Sequence, residues 1–159
     1  MNTFLLVGLL SGCMTTPRIM IQNSGTLIIQ TETVTVRDTV KLDKYFNSDE
    51  LECGCGCGVM ITDKAFDAIT ALRRSYGKPL HINSAARCEA HNKAVGGVAN
   101  SRHFTHRDAF DVRIGGGKNE IPYFIHKAVL AGFKGFGLLN LDNGTLHIDM
   151  RDVYTMWTY

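Results

Sequence analysis

Apolar residues recur at helical spacing in two parts of the chain. In residues 62–79, Phe66, Ile69 and Leu72 lie three apart, between a threonine suited to cap a helix and a Gly-Lys-Pro segment that ends it. Residues 119–133, NEIPYFIHKAVLAGF, repeat the spacing and close on a glycine. Each pattern predicts a helix with one buried face.

Shorter segments alternate apolar and polar residues, which is the pattern of strands with one buried face. The clearest are AFDVRI at 109–114 and TLHIDMR at 145–151, and LHIN at 80–83 predicts a further short strand. The Asp-Asn-Gly at 142–144 is a strong hairpin signal after residues 135–141. Helices and strands mix without a regular βαβ repeat, so we expect an α+β fold with a small antiparallel sheet flanked by helices.

The two clearest strands carry chemistry on the face opposite their apolar residues. Asp111 projects from the polar face of the first strand, and His147 and Asp149 project from that of the second. If the strands are neighbours in one sheet, Asp111 and His147 can meet above it. A rigid strand pair of this kind is a good platform for a metal ion.

His103 could complete a set of three zinc ligands, the number that catalytic zinc sites take from the protein while one position stays open. His103 precedes Asp111 by eight residues. On one helix the two would lie about two turns apart and could not share an ion, so a loop must fold back before the strand. A lone loop histidine is more often a surface or hydrogen-bonded residue, and the spacing alone leaves both interpretations open.

Composition narrows the class of protein without naming a function. The 159 residues are 45% hydrophobic and 20% charged, as in ordinary soluble globular proteins, and suffice for one domain with a core. A formal charge of +2 is too small to indicate nucleic acid as a partner. No apolar run is long enough to stay in a membrane as a spanning helix.

The N-terminus resembles a bacterial lipoprotein signal. MNTFLLVGLLSGC has a short apolar run, then small residues, then Cys13 as the residue that would carry the lipid. No Lys or Arg precedes the run, so an ordinary buried segment is the alternative. We therefore expect a signal at 1–13, an extended segment or tether at 14–44, rich in alternating Thr, Val and Ile, and a compact domain at 45–159.

Longer motifs carry a resemblance to a known family. NSAARCEAHNKAVGGVANSRHFTHRDAFDVR at 83–113, followed by GFGLL at 135–139 and GTLHIDMR at 144–151, resembles the zinc D-Ala-D-Ala carboxypeptidases of the lysostaphin, D-Ala-D-Ala peptidase and hedgehog group. The motifs occur in the family's order and span about residues 45–157. The resemblance implies a zinc peptidase of bacterial cell-wall peptides, with the zinc site on one face of the sheet.

Carried over by position, the resemblance implies zinc ligation by His103, Asp111 and His147. Arg87 falls on the family arginine that contacts the substrate near the scissile carbonyl or terminal carboxylate, and Ser101 falls beside the metal loop and the substrate. The implied mechanism is metal-assisted amide hydrolysis in which Arg87 stabilises charge on the carbonyl oxygen. A surface salt bridge is the alternative role for Arg87.

One departure from the family pattern concerns the first ligand. The family spaces its first histidine and its aspartate by seven positions, whereas the interval from His103 to Asp111 is eight. Arg107 also replaces a family glycine before the strand. His106 therefore remains a competing ligand, and Asp108 is a further carboxylate nearby.

A second departure concerns the general base. Many family members have Asp or Glu three residues before the third ligand, where this chain has Gly144. We predict that Asp149, on the same strand face as His147, is the base, because a base must reach the proton that it removes. The alternative for Asp149 is to orient a ligand histidine or to pair with an arginine. Asp142 in the predicted turn is the other nearby carboxylate.

Four more cysteines lie within the expected domain. Cys53, Cys55 and Cys57 form a C-x-C-x-C run, and Cys88 is distant in sequence. Disulfides, free buried thiols and a second metal site are all open, although structural zinc sites usually have C-x₂₋₄-C spacing.

We expect a zinc metallopeptidase, a D,D-carboxypeptidase or endopeptidase, that acts on peptidoglycan peptides as a monomer. Its expected location is the cell envelope, periplasmic or extracellular, with membrane anchoring through lipidated Cys13; a phage lysis protein is the other source of such chemistry. The alternative function is a non-catalytic cell-wall binding lipoprotein on the same fold.

Overall fold

A computed structural model describes residues 16–21, 27–32 and 44–159 of the protein. The chain divides into two compact units, Met1–Arg37 and Asp38–Tyr159. Each unit is described by itself below.

The first unit contains two paired strands. Strand β1 (Thr16–Ile21) runs antiparallel to β2 (Leu27–Glu32), with Ile19 opposite Ile29. Extended structure agrees with the alternation of β-branched residues in this part of the sequence. Cys13 lies outside the described residues, so the lipoprotein signal and the boundaries drawn from it remain predictions.

The second unit, in its described residues 44–159, contains five helices and five strands. The longest helix begins where Thr62 accepts a hydrogen bond from the backbone N–H of Ala65, and it ends at Gly77, whose φ is 74°. Both ends agree with the sequence prediction. The helices are α1 (Ser48–Leu51), α2 (Asp63–Tyr76), α3 (Glu89–Ala94), α4 (Arg102–Thr105) and α5 (Ile121–Leu130), with a 3₁₀ turn at Gly117–Glu120 before the last.

The strands form one sheet in the order β3-β4-β6-β5-β7. Neighbours run antiparallel, except that β7 lies parallel to β5. The α+β class with a mostly antiparallel sheet is therefore confirmed. The strand bounds are β3 (Leu80–Ser84), β4 (Ala109–Ile114), β5 (Gly135–Asn140), β6 (Thr145–Asp149) and β7 (Thr155–Thr158).

The sheet has one apolar and one polar face because side chains alternate along each strand. Phe110 and Ile148, from the two central strands, belong to a single buried cluster with Leu72 of α2 and Phe124 of α5. Phe110 also meets Phe133 edge-on at a ring-centroid distance of 6.0 Å. The helices therefore cover the apolar face, and the opposite face of the central strands carries the polar residues.

Three short elements lie outside the sequence prediction. The connection that follows β3 contains the helix α3, which spans six residues. A further short helix, α4, occupies the segment predicted as a loop, and β7 was not predicted. In the part of the chain that the structure describes, no helix has the length and apolar character needed to cross a membrane.

Candidate metal centre

The register of β4 and β6 brings the first two predicted ligands together. Asp111 is the direct cross-strand partner of His147, and Oδ1 of Asp111 lies 3.0 Å from Nδ1 of His147. Both side chains lie on the face opposite the helical core. This pairing confirms that the two strands are neighbours, as the sequence required for a shared site.

The helix α4 supplies the third side chain from outside the sheet. Nε2 of His103 lies 3.1 Å from Nδ1 of His147 and 3.3 Å from Oδ1 of Asp111. His103 is only 2% exposed, and its Nδ1–H donates to the carbonyl oxygen of Ala85 at 2.6 Å. That bond leaves Nε2 of His103 with a free lone pair directed at the other two side chains.

These three donor atoms fit zinc in kind and in spacing. Zinc binds histidine nitrogen and carboxylate oxygen at about 2.0–2.2 Å, so tetrahedral ligand atoms are about 3.3–3.6 Å apart. The observed separations of 3.0–3.3 Å are slightly shorter. The site thus needs only small adjustments to hold zinc, with one coordination position left for water or substrate.

Two charged residues, Asp149 and Arg87, hydrogen-bond to two of the predicted ligands and orient them. Oδ2 of Asp149 lies 3.1 Å from Nε2 of His147, so an Nε2–H donated to Asp149 leaves Nδ1 of His147 for the metal. Nη2 of Arg87 donates to Oδ2 of Asp111 at 3.0 Å, which turns Oδ1 towards the histidines. The tautomer of one ligand and the orientation of another are set by neighbouring groups.

Neighbouring groups outweigh burial in setting the pKa values of Asp111 and His147. Burial raises the pKa of Asp111, but the neighbouring His103 and His147 outweigh it and hold the pKa well below its ordinary value. Burial lowers the pKa of His147, but Asp111 and Asp149 outweigh it and raise that pKa. Two ionised carboxylates therefore flank His147, an arrangement that attracts a cation.

Asp149 is fully buried, and donors surround it. Burial raises its pKa, but the bonds from Arg151 and His147 outweigh this and hold the pKa well below the ordinary range. The backbone N–H of Arg151 donates to Oδ1 at 3.0 Å, and its Nε donates to the same oxygen at 2.8 Å. These contacts favour the alternative role for Asp149, that of orienting His147. Its role as general base remains a prediction.

Glycines on β5 make room for the polar groups beside the site. A Cβ on Gly135 would lie 2.3 Å from Oδ1 of Asp149, and one on Gly137 would lie 2.8 Å from the ring of Trp157. Gly135 is the register partner of Asp149, and Gly137 that of His147. A side chain at either position would therefore push a neighbour away from the metal face.

The three predicted ligands line a cavity of about 490 Å³. Trp157 forms part of its wall, with its ring centroid 5.5 Å from that of His147 and 4.4 Å from Cζ of Arg151. The cavity therefore combines a metal-binding floor with an aromatic and a cationic wall. Further lining side chains include Arg87, Ser101, Arg102 and Tyr159.

The extra residue between His103 and Asp111 lies in the short connection between α4 and β4. Arg107, at the place of the family glycine, adopts a left-handed backbone with φ 53°. His106 is exposed, and its Nδ1 lies 2.6 Å from Oγ1 of Thr105. The structure therefore places His103 at the site and His106 outside it.

The other nearby carboxylates also lie outside the ligand set. Asp108 forms a salt bridge with Arg102, through two of the arginine's nitrogens. Asp142 is exposed in the turn between β5 and β6. Gly144 closes that turn with a φ of 70°.

Arg87 and Ser101, the predicted substrate contacts, both line the cavity. Nε of Arg87 donates to Oγ of Ser84 at 3.1 Å, in addition to the bond to Asp111. A guanidinium has five N–H donors, so two bonds leave donors for a substrate. The roles predicted for both residues stay predictions.

The aromatic wall was not predicted from the sequence. Trp157 is held beside His147 because β7 pairs with β5, and Tyr159 follows it on the same side. The signal was the i, i+2 spacing of the two aromatics in a Thr- and aromatic-rich segment, which is typical of a strand with one functional face.

Comparison with known proteins agrees with this geometry. A family model described as Peptidase M15 matches residues 44–149, which is more than half of the chain and contains all three ligand candidates. No curated protein matches the chain.

Proposed function

Because the chain belongs to the peptidase M15 family and is a zinc metallopeptidase, we propose that it hydrolyses an amide bond in the stem or cross-link peptides of bacterial peptidoglycan. The observation that carries the proposal is the convergence of His103, Asp111 and His147 at the floor of an open cavity. We propose these three residues as the zinc ligands. Bound there, zinc supplies a Lewis acid that polarises the amide carbonyl and lowers the pKa of water to about 7.

The charge of the cavity supports an anionic peptide as substrate. Arg87, Arg102 and Arg151 line it and pair with Asp111, Asp108 and Asp149, so the charges of these six residues balance and a bound divalent cation would make the cavity positive. Peptidoglycan stem peptides carry free carboxylates, which the planar fork of arginine binds well. The arginines could bind a D-alanine carboxylate or a side-chain carboxylate equally well, so we propose carboxypeptidase or endopeptidase activity.

Each side chain then has a separate task. His103 and His147 present one nitrogen each, in tautomers set by Ala85 and Asp149. Arg87 holds Asp111 and keeps donors for the carbonyl oxygen of the substrate. The indole of Trp157 forms one side of the cavity beside His147.

The test uses defined muropeptides: a pentapeptide monomer, a tetrapeptide monomer and a cross-linked dimer, with product masses read by mass spectrometry. We expect cleavage by the wild-type protein, none by His147→Ala and near-normal cleavage by His106→Ala, which makes the same chemical change outside the site. The product identifies the bond that is cut. A zinc-loaded protein that binds these muropeptides and cleaves none of them would overturn the enzyme and support the cell-wall binding alternative.

A further inference from the structure

Four cysteines converge at a second place in the domain, away from the three ligand candidates. Three come from the loop between α1 and α2, and the fourth directly precedes α3. Their Sγ atoms all lie within 4.8 Å of one another, with 3.3 Å between Cys53 and Cys55 and 3.6 Å between Cys55 and Cys88. All four are free thiols in the structure, the remaining one being Cys57.

We propose that Cys53, Cys55, Cys57 and Cys88 bind a second zinc ion, which has a structural role. Zinc binds thiolate sulfur at about 2.3 Å, so the sulfurs of a tetrahedral site lie about 3.8 Å apart. The observed sulfur separations are near this value, and far longer than the bond of about 2.05 Å that joins a disulfide. Four sulfurs and no open position are the usual composition of a structural zinc site.

The loop backbone explains how C-x-C spacing can serve here. The segment turns at residues 54–55 and bends at residues 56–57, which brings its three alternating cysteines to one place. The backbone N–H of Gly56 donates to the carbonyl of Cys53 at 2.9 Å, and that of Cys53 donates to the carbonyl of Val59 at 2.7 Å. These bonds curl the segment and draw its sulfurs together. Glycine at position 56, with a φ of 71°, allows the curl.

Hydrogen bonds to the sulfurs are a second, independent observation. The backbone N–H of Cys88 donates to Sγ of Cys53 at 3.2 Å, and that of His91 donates to Sγ of Cys88 at 3.3 Å. Nδ1 of His91 also lies 3.2 Å from Sγ of Cys53. N–H donors aimed at sulfur stabilise thiolates, the form that binds metal, and such surrounding bonds tune metal affinity.

The second ion would brace the segment that shapes the first site. Cys88 follows Arg87, whose guanidinium bonds Asp111, and the backbone N–H of Arg87 donates to the carbonyl of His103 at 2.8 Å. The cysteine cluster ties this segment to the loop that enters α2. Zinc bound by the four cysteines would therefore stabilise the domain and, through it, the geometry of the peptidase site.

The test counts metal and uses full-length protein with Cys13→Ser, so that only these four thiols remain. That change is also the matched cysteine control outside the cluster. We expect two zinc ions per chain by elemental analysis of protein purified in reductant, one in His147→Ala and one in Cys57→Ser. One ion per chain in the parent protein and none in His147→Ala would overturn the second site and leave the peptidase proposal standing.

Cobalt substitution covers the case in which a cysteine variant fails to fold. The His147→Ala protein keeps all four cysteines, so its cobalt form should show thiolate-to-cobalt charge transfer in the near ultraviolet and strong visible bands of tetrahedral cobalt. Their absence, with the fold intact by circular dichroism, would contradict the proposal.

Intact mass separates zinc from disulfides. Protein unfolded in acid without reductant should have the mass of four thiols, since coordination leaves sulfur reduced. If protein prepared without oxidant is lighter by two hydrogens for each of two disulfides, the cysteines are cross-linked in pairs and the zinc proposal is wrong.

Discussion

At the scale of single residues, the candidate centre depends on which nitrogen each histidine presents. His103 uses Nδ1–H for the carbonyl of Ala85 and keeps Nε2 for the metal, whereas His147 directs Nε2 to Asp149 and keeps Nδ1. The two histidines present different nitrogens to the metal because His103 comes from a short helix above the sheet and His147 from a strand within it. Each assignment depends on one neighbouring acceptor, so a single substitution near either histidine can change the nitrogen that faces the metal.

The first prediction separates the two histidines that follow Ser101. His103→Ala should lose zinc from the peptidase site and all measurable hydrolysis, since it removes one of three ligand atoms. His106→Ala should keep both, because its side chain is exposed and contacts Thr105 instead. Elemental zinc and muropeptide cleavage are measured on both variants. Normal zinc in His103→Ala together with loss in His106→Ala would show that the inserted residue moves the ligand.

The second prediction concerns Arg87. Arg87→Ala and Arg87→Lys should both keep zinc at saturating concentration and lower kcat/KM by about a hundredfold, the scale of a lost charge-stabilising donor. Lysine should not substitute, since its single ammonium nitrogen lacks the planar fork by which separate guanidinium nitrogens reach Asp111 and a carbonyl oxygen. Kinetics at saturating zinc measure this, and unchanged kcat/KM in the lysine variant would limit Arg87 to its salt bridge.

The third prediction tests the two roles of Asp149. If it orients His147, Asp149→Asn should weaken zinc affinity by about 10–100-fold, and kcat at saturating zinc should recover. If it is the general base, affinity should hold and kcat should fall by about a hundredfold or more. The buried contacts with His147 and Arg151 lead us to expect the first result. Zinc titration and the pH profile of kcat distinguish the two.

At the scale of elements, strand register determines what the polar residues can do. The β4–β6 register places Asp111 opposite His147, and a slip of one residue would turn one of them into the core. The β5–β6 register then places Gly135 and Gly137 beside the site. On the far side of β5, β7 brings Trp157 over the cavity. Four strands thus contribute to one small site.

The fourth prediction concerns this edge strand. Trp157→Ala should leave zinc content unchanged and lower kcat/KM by about tenfold, mainly through a higher KM, because one wall of the cavity is lost. Trp157→Phe keeps an aromatic face and serves as the control. If KM is unchanged in the alanine variant, the indole supports Arg151 and does not contact substrate.

At the scale of the whole molecule, the described domain keeps stability and chemistry on opposite sides of one sheet. Phe110, Val112 and Ile148 pack into the helical core, while Asp111, His147 and Asp149 alternate with them on the other face. The rigid apolar face holds the polar side chains in place, including the fully buried carboxylate of Asp149 and the half-buried carboxylate of Asp111. Peptidoglycan as substrate would also require the domain to reach the cell envelope.

The fifth prediction tests that location. In a bacterial host, Cys13→Ser should move the protein from the membrane fraction to the soluble fraction, because lipidation needs this thiol. Fractionation and the N-terminal mass of the mature protein measure it, with His106→Ala, an exposed position within the domain, as the control. A mature chain that begins at Met1 would rule out the lipoprotein signal.

Local periodicity and caps in the sequence are enough to predict the helix from Asp63 to Tyr76, the central strands and the polar face that holds Asp111 and His147. His103, and not His106, lies beside Asp111 and His147 only through the tertiary structure, since the path of α4 depends on contacts with distant segments. The same holds for the surroundings of Asp149 and for Trp157, whose strand pairs across the sheet. The meeting of Cys88 with the C-x-C-x-C loop is likewise a long-range contact, and local spacing carries no information about such contacts.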